Sequence, residues 1–209
     1  MTIPRFGWVW LIGASLFLAG CGKGEKAGVA SQAPARLLAT LITDQGEIEI
    51  ELLAGVAPKA VENFRLLAQR GYYRGTPFHR VIKGFMIQGG DPKGDGSGGE
   101  SAWGGVFDDE IDKTSPLYRG GYKRGTVALA NTGPNTNQSQ FFIVHQDFPL
   151  HPGYTIFGQV VRGMEVVDAI ADAPLTRGPD GNQSKPLKPV LVKDVMVRVA
   201  EPVEATPAK

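Results

Sequence analysis

The chain of 209 residues holds one cysteine, three histidines and a formal net charge of only +1. A single cysteine excludes an internal disulfide framework. The histidines, His79, His145 and His151, have neither an i, i+4 partner nor a Cys at ligand spacing, which excludes the common zinc patterns. No Gly-x-Ser-x-Gly elbow is present, so nothing marks an activated serine of the hydrolase kind. Near-neutral charge gives no electrostatic reason to expect nucleic acid. Long apolar runs are also scarce. Phe6–Gly20 is uncharged over 15 residues, short of the ~20 that a membrane-spanning helix needs.

Glycine and proline are abundant, at 28 and 15 residues, well above their usual combined share of ~12%. They follow no triplet period and lie between short apolar runs, which describes a turn-rich β protein. The length suits one globular domain with extensions, large enough to bury a core without disulfides or metals.

The N-terminus reads as a targeting segment. Arg5 is a one-residue positive region and Phe6–Gly20 is the apolar region of a signal peptide. Leu18-Ala19-Gly20-Cys21 resembles the lipobox of bacterial lipoproteins. That resemblance implies cleavage before Cys21 and acylation of its thiol and new amine, and with it a bacterial cell-envelope location outside the cytoplasm. Two or more acyl chains anchor stably, at ~0.8 kcal/mol per buried CH₂. Loss of residues 1–20 removes Arg5 and no acid, leaving a neutral chain. Gly22–Arg36 is small, polar and aperiodic, a flexible tether spanning ~20 Å. The reading therefore divides the chain into a leader (1–20), an acylated Cys21 with its tether (21–36), a domain (37–199) and a frayed tail (200–209).

Within the domain, Leu37–Thr43 is an apolar run, Asp44-Gln45-Gly46 a turn, and Glu47–Leu52 alternates with Ile48, Ile50 and Leu52 inward. Pro58 opens a helix whose stripe is Ala60, Val61, Phe64, Leu67 and Ala68, and Gly71 closes it. Further strands are predicted at 78–82, 85–88, 126–130, 141–144, 155–161 and 190–199, with a second helix at 164–171. Many close strands with two helices predict a mostly β fold, a closed antiparallel barrel.

Gly94–Gly99 fits G-x-G-x-x-G, yet no helix start follows and no Lys-Ser/Thr ends it, so it reads as a surface loop. Lys93 stands where a calcium loop opened by Asp91 would need a ligand. His79, in an apolar setting, reads as a satisfied structural histidine.

Two stretches remain. Phe78–Asp91 (FHRVIKGFMIQGGD) sets one permanent cation, Arg80, among large apolar residues. Ala130–Phe142 (ANTGPNTNQSQFF) is rich in amides and ends in aromatics. Together they describe a shallow apolar groove rimmed by amide hydrogen-bonders, with no nucleophile–base pair.

These stretches, with YTIFGQVVRGMEVVDAI at 154–170, resemble the cyclophilin family of peptidyl-prolyl cis-trans isomerases in motif and order, over roughly Leu37–Val199. The resemblance implies an eight-stranded antiparallel barrel capped by two helices. It implies that Arg80 is the catalytic arginine, that Phe85, Met86, Phe142 and Leu150 form the proline pocket, and that Gln88 and Asn131 form the hydrogen-bonding rim. Ala130, Thr132 and Gln140 then line the groove, and Tyr154 falls where many relatives carry His. It implies a monomer acting on proline-containing, unfolded or exported polypeptides, without metal or cofactor.

The physics agrees. Rotation about X–Pro must break amide resonance, a barrier of ~18–20 kcal/mol. No bond is made or cleaved, so the enzyme need only bind the twisted amide better than the planar forms. Twisting returns the lone pair to the proline nitrogen, and a guanidinium, always charged, can donate to it. One departure stands out: Phe148–Gly153 (FPLHPG) replaces a stretch where many relatives carry Trp-Leu-Asp-Gly. The Trp position falls on Pro149 or Phe148, so the resemblance does not carry cyclosporin affinity across. Thr132, where Ala is common, narrows the groove. The alternative to an isomerase is a proline-peptide binding module with incidental turnover.

Overall fold

A computed structural model describes residues 36–200. The leader, Cys21 and all but the last residue of the tether lie outside the described residues, as does the tail beyond Ala200.

The first hairpin shows how pattern becomes structure. Strands β1 (Arg36–Thr43) and β2 (Gly46–Leu52) pair antiparallel around Asp44-Gln45. Ile48, Ile50 and Leu52 are buried as alternation requires, while Glu47 stays in water. The Thr43 hydroxyl tightens the turn, donating to the Gly46 carbonyl at 2.7 Å and accepting from Gln45 N–H at 3.1 Å. Helix α1 (Pro58–Gln69) follows, with Ala60, Val61, Phe64, Leu67 and Ala68 all buried. Its end is a Schellman turn: Gly71 adopts φ +68°, Tyr72 N–H reaches the Leu67 carbonyl and Gly71 N–H that of Ala68. Its start lacks a local cap. The Glu110 carboxylate, 50 residues on, accepts from Lys59 and Ala60 N–H at 3.0 and 2.8 Å.

The chain continues through β3 (Arg80–Ile82), β4 (Met86–Gly89), a one-turn helix α2 (Pro116–Arg119), β5 (Thr126–Leu129), β6 (Phe141–Val144), β7 (Ile156–Arg162) and α3 (Met164–Ala171). A small hairpin of β8 (Leu175–Arg177) and β9 (Gln183–Pro186) precedes the last strand, β10 (Val192–Ala200). Eight strands form one antiparallel sheet in the order β10-β1-β2-β7-β5-β6-β4-β3. Phe64 of α1 sits over it, its ring 5.0–5.6 Å from those of Tyr73, Phe141 and Phe157.

The expected closed barrel is corrected: the sheet is an open half-barrel, because β10 and β3 share no ladder. The gap is crossed by single contacts, Gly75 N–H to Val192 O, Val192 N–H to Thr76 O and Phe78 N–H to Val190 O, around one bridge between Pro77 and Leu191. In that bridge the bonds come from the residues on either side, so Pro77, which has no N–H to give, costs it nothing, and the pairing stops before β3 begins at Arg80. Helix α2 and the β8–β9 hairpin were not expected. Arg36 and Ala200, assigned from sequence to tether and tail, face each other as the outermost pair of β1 and β10.

Candidate active site

The site begins with a tight hairpin. Lys83 and Gly84 turn β3 into β4, with Gly84 at φ +83° and Phe85 N–H on the Ile82 carbonyl at 2.9 Å. This register sets Arg80 opposite Gln88, and Gln88 in turn opposite Phe142 on β6. Side chains alternate along both strands. Ile87, Phe141 and Ile143 enter the main core, whereas Met86, Phe142 and Val144 belong to a second apolar cluster on the other face. Phe85, Ala130, Leu150 and Tyr154 pack on that second cluster.

The expected pocket residues therefore meet. Met86 and Phe142 are 1% and 4% exposed, so they form a floor rather than projecting knobs. Phe85 and Tyr154 stand around it, their ring centroids 6.4 and 5.4 Å from that of Phe142. Phe148 stacks on Phe85 at 4.1 Å, so of the two residues competing for the Trp position it is Phe148 that joins the apolar wall.

The rim is a chain of amides. Arg80 Nη1 donates to Gln88 Oε1 at 3.3 Å, and Gln88 Nε2 donates to Gln140 Oε1 at 2.9 Å. Gln140 Nε2 then donates to the carbonyls of Gly96 and Gly98, at 3.0 and 2.7 Å. The Gly94–Gly99 run is thus a loop beside the site, braced also by buried Asp91, which accepts from Lys93, Asp95 and Gly96 N–H. On the opposite side Asn131 Nδ2 donates to the Gly153 carbonyl at 2.8 Å, tying the rim to the Phe148–Tyr154 wall. Thr132 N–H bonds the Thr136 hydroxyl at 3.0 Å. Two cavities share Gln88. One, about 90 Å³, lies among Ala130, Asn131, Thr132 and Gln140. The other, about 290 Å³, lies beside Arg80 and Asp180.

Three features escaped the sequence reading. Tyr122 hangs the wall: its hydroxyl donates to the Tyr154 carbonyl at 2.8 Å and accepts from Tyr154 N–H at 3.0 Å. Burial pushes that phenol's pKa far up, so it stays a neutral donor. Asp180, from the unforeseen β8–β9 hairpin, accepts from Arg80 Nε at 3.0 Å. His79 is buried as expected but not satisfied, since neither ring nitrogen has a hydrogen-bond partner. Burial drives its pKa below the usual imidazole value. Pro179-Asp180-Gly181 is itself a turn signature that could have flagged the hairpin. The pairing of Asp180 with a residue 100 positions away leaves no local trace.

Among the described residues no group of three His, Cys, Asp or Glu side chains is placed to hold a metal ion. What the arrangement offers is an apolar floor, a rim of amides and one fixed cation. That set can grip a small ring, hold an extended peptide backbone and donate a hydrogen bond, and it suits a change of conformation.

Comparison with known proteins agrees. Residues 38–197 match the family described as cyclophilin type peptidyl-prolyl cis-trans isomerase. The chain is 54% identical over 130 residues to peptidyl-prolyl cis-trans isomerase CYP18-1 of Arabidopsis thaliana, covering 62% of this chain and 79% of that protein. It is 45% identical over 159 residues to the human peptidyl-prolyl cis-trans isomerase-like 3, covering 76% and 94%. Some relatives are longer; of the isomerase-like 2 protein of Gibberella zeae the chain spans 28%. A crystal structure of a cyclophilin type isomerase from Cryptosporidium parvum superposes with a TM-score of 0.70 at 39% identity, over 78% of this chain and 98% of that one. The same Cryptosporidium protein has been crystallised in the presence of the dipeptide Ala-Pro. With a family match over residues 38–197, and with this fold and groove, the chain belongs to the cyclophilin-type peptidyl-prolyl cis-trans isomerases.

Proposed function

We propose that Arg80 is the catalytic group of this isomerase. Phe85, Met86, Phe142, Leu150 and Tyr154 hold the prolyl ring, and Gln88, Ala130, Asn131, Thr132 and Gln140 hold the peptide beside it. The observation that carries the reading is the register that puts Arg80 against Gln88 at 3.3 Å and Gln88 against Phe142 across β4 and β6. A permanent donor thereby stands at the edge of an apolar floor. As the amide twists, conjugation is lost and the nitrogen becomes an acceptor that exists in neither planar isomer. A hydrogen bond from the guanidinium contributes ~1.5–3 kcal/mol there, about ten- to a hundredfold in rate. Because the bond is absent in the ground states, it raises turnover without tightening binding. Phe142→Ala removes the floor, so peptide affinity falls while Arg80→Ala leaves it near wild type. Titration of an X–Pro peptide followed by NMR separates these, and equal affinities for wild type and Phe142→Ala would sink the pocket assignment.

The proposal extends to location. Leu18-Ala19-Gly20-Cys21 supports an acylated Cys21 on a tether of ~20 Å, which would hold this isomerase at the surface of a bacterial envelope membrane to act on exported, unfolded chains. The named relatives are eukaryotic and leave this point to experiment. Cells expressing the full chain should incorporate labelled palmitate and place the protein in the membrane fraction, and Cys21→Ser should abolish both. A wild-type protein that is unlabelled and soluble would refute the anchor.

A further inference from the structure

The β8–β9 hairpin delivers one carboxylate to the far side of Arg80. Asp180 uses its two oxygens for different tasks. Oδ2 accepts from Arg80 Nε at 3.0 Å, while Oδ1 accepts from the Ser184 hydroxyl at 2.6 Å and from Asn182 N–H at 3.1 Å. Ser184 is 1% exposed, so the brace is buried although the carboxylate is not. The loop is closed beneath it by Gly178 N–H on Asn182 O at 2.7 Å and Gly181 N–H on Gly178 O at 3.0 Å. The Ser184 hydroxyl first, and then Arg80, hold the Asp180 carboxyl far below the usual range, so it is ionised at any working pH.

The Arg80 guanidinium is consequently held at two nitrogens, Nε by Asp180 and Nη1 by Gln88. Two anchors on a planar group fix its plane, and one leaves it free to swing about the other. Nη2 donates to no partner among the described residues and remains for a ligand. The pair does little for stability, because the two side chains are 34% and 24% exposed and ion pairs in such settings contribute little. A buried brace that serves a weakly stabilising pair needs another purpose, and orienting the guanidinium supplies one. We infer that Asp180 is a positioning residue for Arg80: with Ser184 as its brace, it fixes the plane in which the donor meets the twisted amide. This rests on the reading of Arg80 as the catalytic group.

Asp180→Asn tests it. The single amide oxygen can keep the bonds from Ser184 and Asn182, but the amide nitrogen then faces Arg80 Nε, donor against donor. In the full chain, NMR exchange on an X–Pro peptide gives affinity and catalysed rate separately. Asp180→Asn should slow catalysed exchange about tenfold, as a misplaced group does, with affinity within about twofold. In an Arg80→Ala background the same substitution should have no further effect. Ser184→Ala, which frees the carboxylate without removing it, should give a smaller loss in the same direction and serves if Asp180→Asn does not fold. Wild-type exchange in Asp180→Asn, or an equal further loss in the Arg80→Ala background, would overturn the inference while leaving Arg80 catalytic. Wild-type exchange in Arg80→Ala would overturn both.

Discussion

Replacing Tyr122 by Phe removes one oxygen from a residue that is 1% exposed, and the consequences can be followed bond by bond. That oxygen serves both backbone groups of Tyr154, accepting from its N–H at 3.0 Å and donating to its carbonyl at 2.8 Å. Among the described residues the only other hydrogen bond to that carbonyl comes from the Tyr118 hydroxyl, at a marginal 3.5 Å. Tyr122→Phe therefore strands a part-buried donor and weakens the satisfaction of an acceptor, within the ~1–3 kcal/mol of an unmet buried group. We expect a loss of about 2 kcal/mol, which for a domain of this size lowers the unfolding midpoint by about 4–8 °C. Denaturant titration should show a lower midpoint at unchanged m-value, since the same surface is exposed on unfolding. The loss should also appear at the groove, because the hydroxyl holds Tyr154, whose ring stands 5.4 Å from that of Phe142. Peptide affinity should fall along with stability. Burial keeps the Tyr122 phenol protonated far above its usual pKa, so the difference between the two proteins should be flat from about pH 6 to about pH 9. A stability change below about 0.5 kcal/mol, or a difference that collapses as pH rises through this range, would refute the reasoning.

Two other perturbations follow from equally local facts. Gly90 sits at φ +83°, and a Cβ there would lie 2.5 Å from the Ser139 carbonyl; Gly90→Ala should cost more than about 2 kcal/mol, from a strained conformation plus displaced backbone. Gly75→Ala, at φ +78° with open space around it, should lose only the conformational part, about 1 kcal/mol, and equal losses at the two sites would show that the close approach is unimportant. The buried, unpartnered His79 imidazole has a folded-state pKa below its unfolded value of ~6.5, because burial disfavours the charge. Between those two values the unfolded chain binds a proton that the folded chain refuses, so stability should fall as pH drops below ~6.5 and be flat above it. The pH dependence of unfolding in His79→Gln, compared with wild type, should lack this component, and identical profiles would contradict it.

Periodicity found the eight strands of the main sheet and the two longer helices, α1 and α3, because each is a local signal. Ile48, Ile50 and Leu52 announce which face of β2 is buried, and Pro58 and Gly71 mark the ends of α1. The groove was legible through its motifs, and the structure brings Arg80, Gln88, Gln140, Met86 and Phe142 onto three neighbouring elements. What escaped were pairings across long stretches of chain. Glu110 caps a helix that carries no cap of its own, Asp180 reaches Arg80, and Tyr122 holds Tyr154. None of these leaves a mark on its neighbours in sequence. The barrel expectation failed for a different reason: closure needs a ladder between β3 and β10, and the sequence of neither strand says whether it meets that distant partner.

We propose that Arg80 acts on the twisted amide alone. Catalysed cis–trans exchange of an X–Pro peptide, with affinity measured in the same samples, tests it most directly in wild type, Arg80→Ala and Arg80→Lys. Arg80→Ala should lose at least about tenfold in rate with affinity nearly unchanged, and Arg80→Lys should recover only part of it, because it lacks the planar fork that Gln88 and Asp180 hold. Equal exchange rates in wild type and Arg80→Ala would contradict it and leave a groove that binds proline peptides without using its arginine.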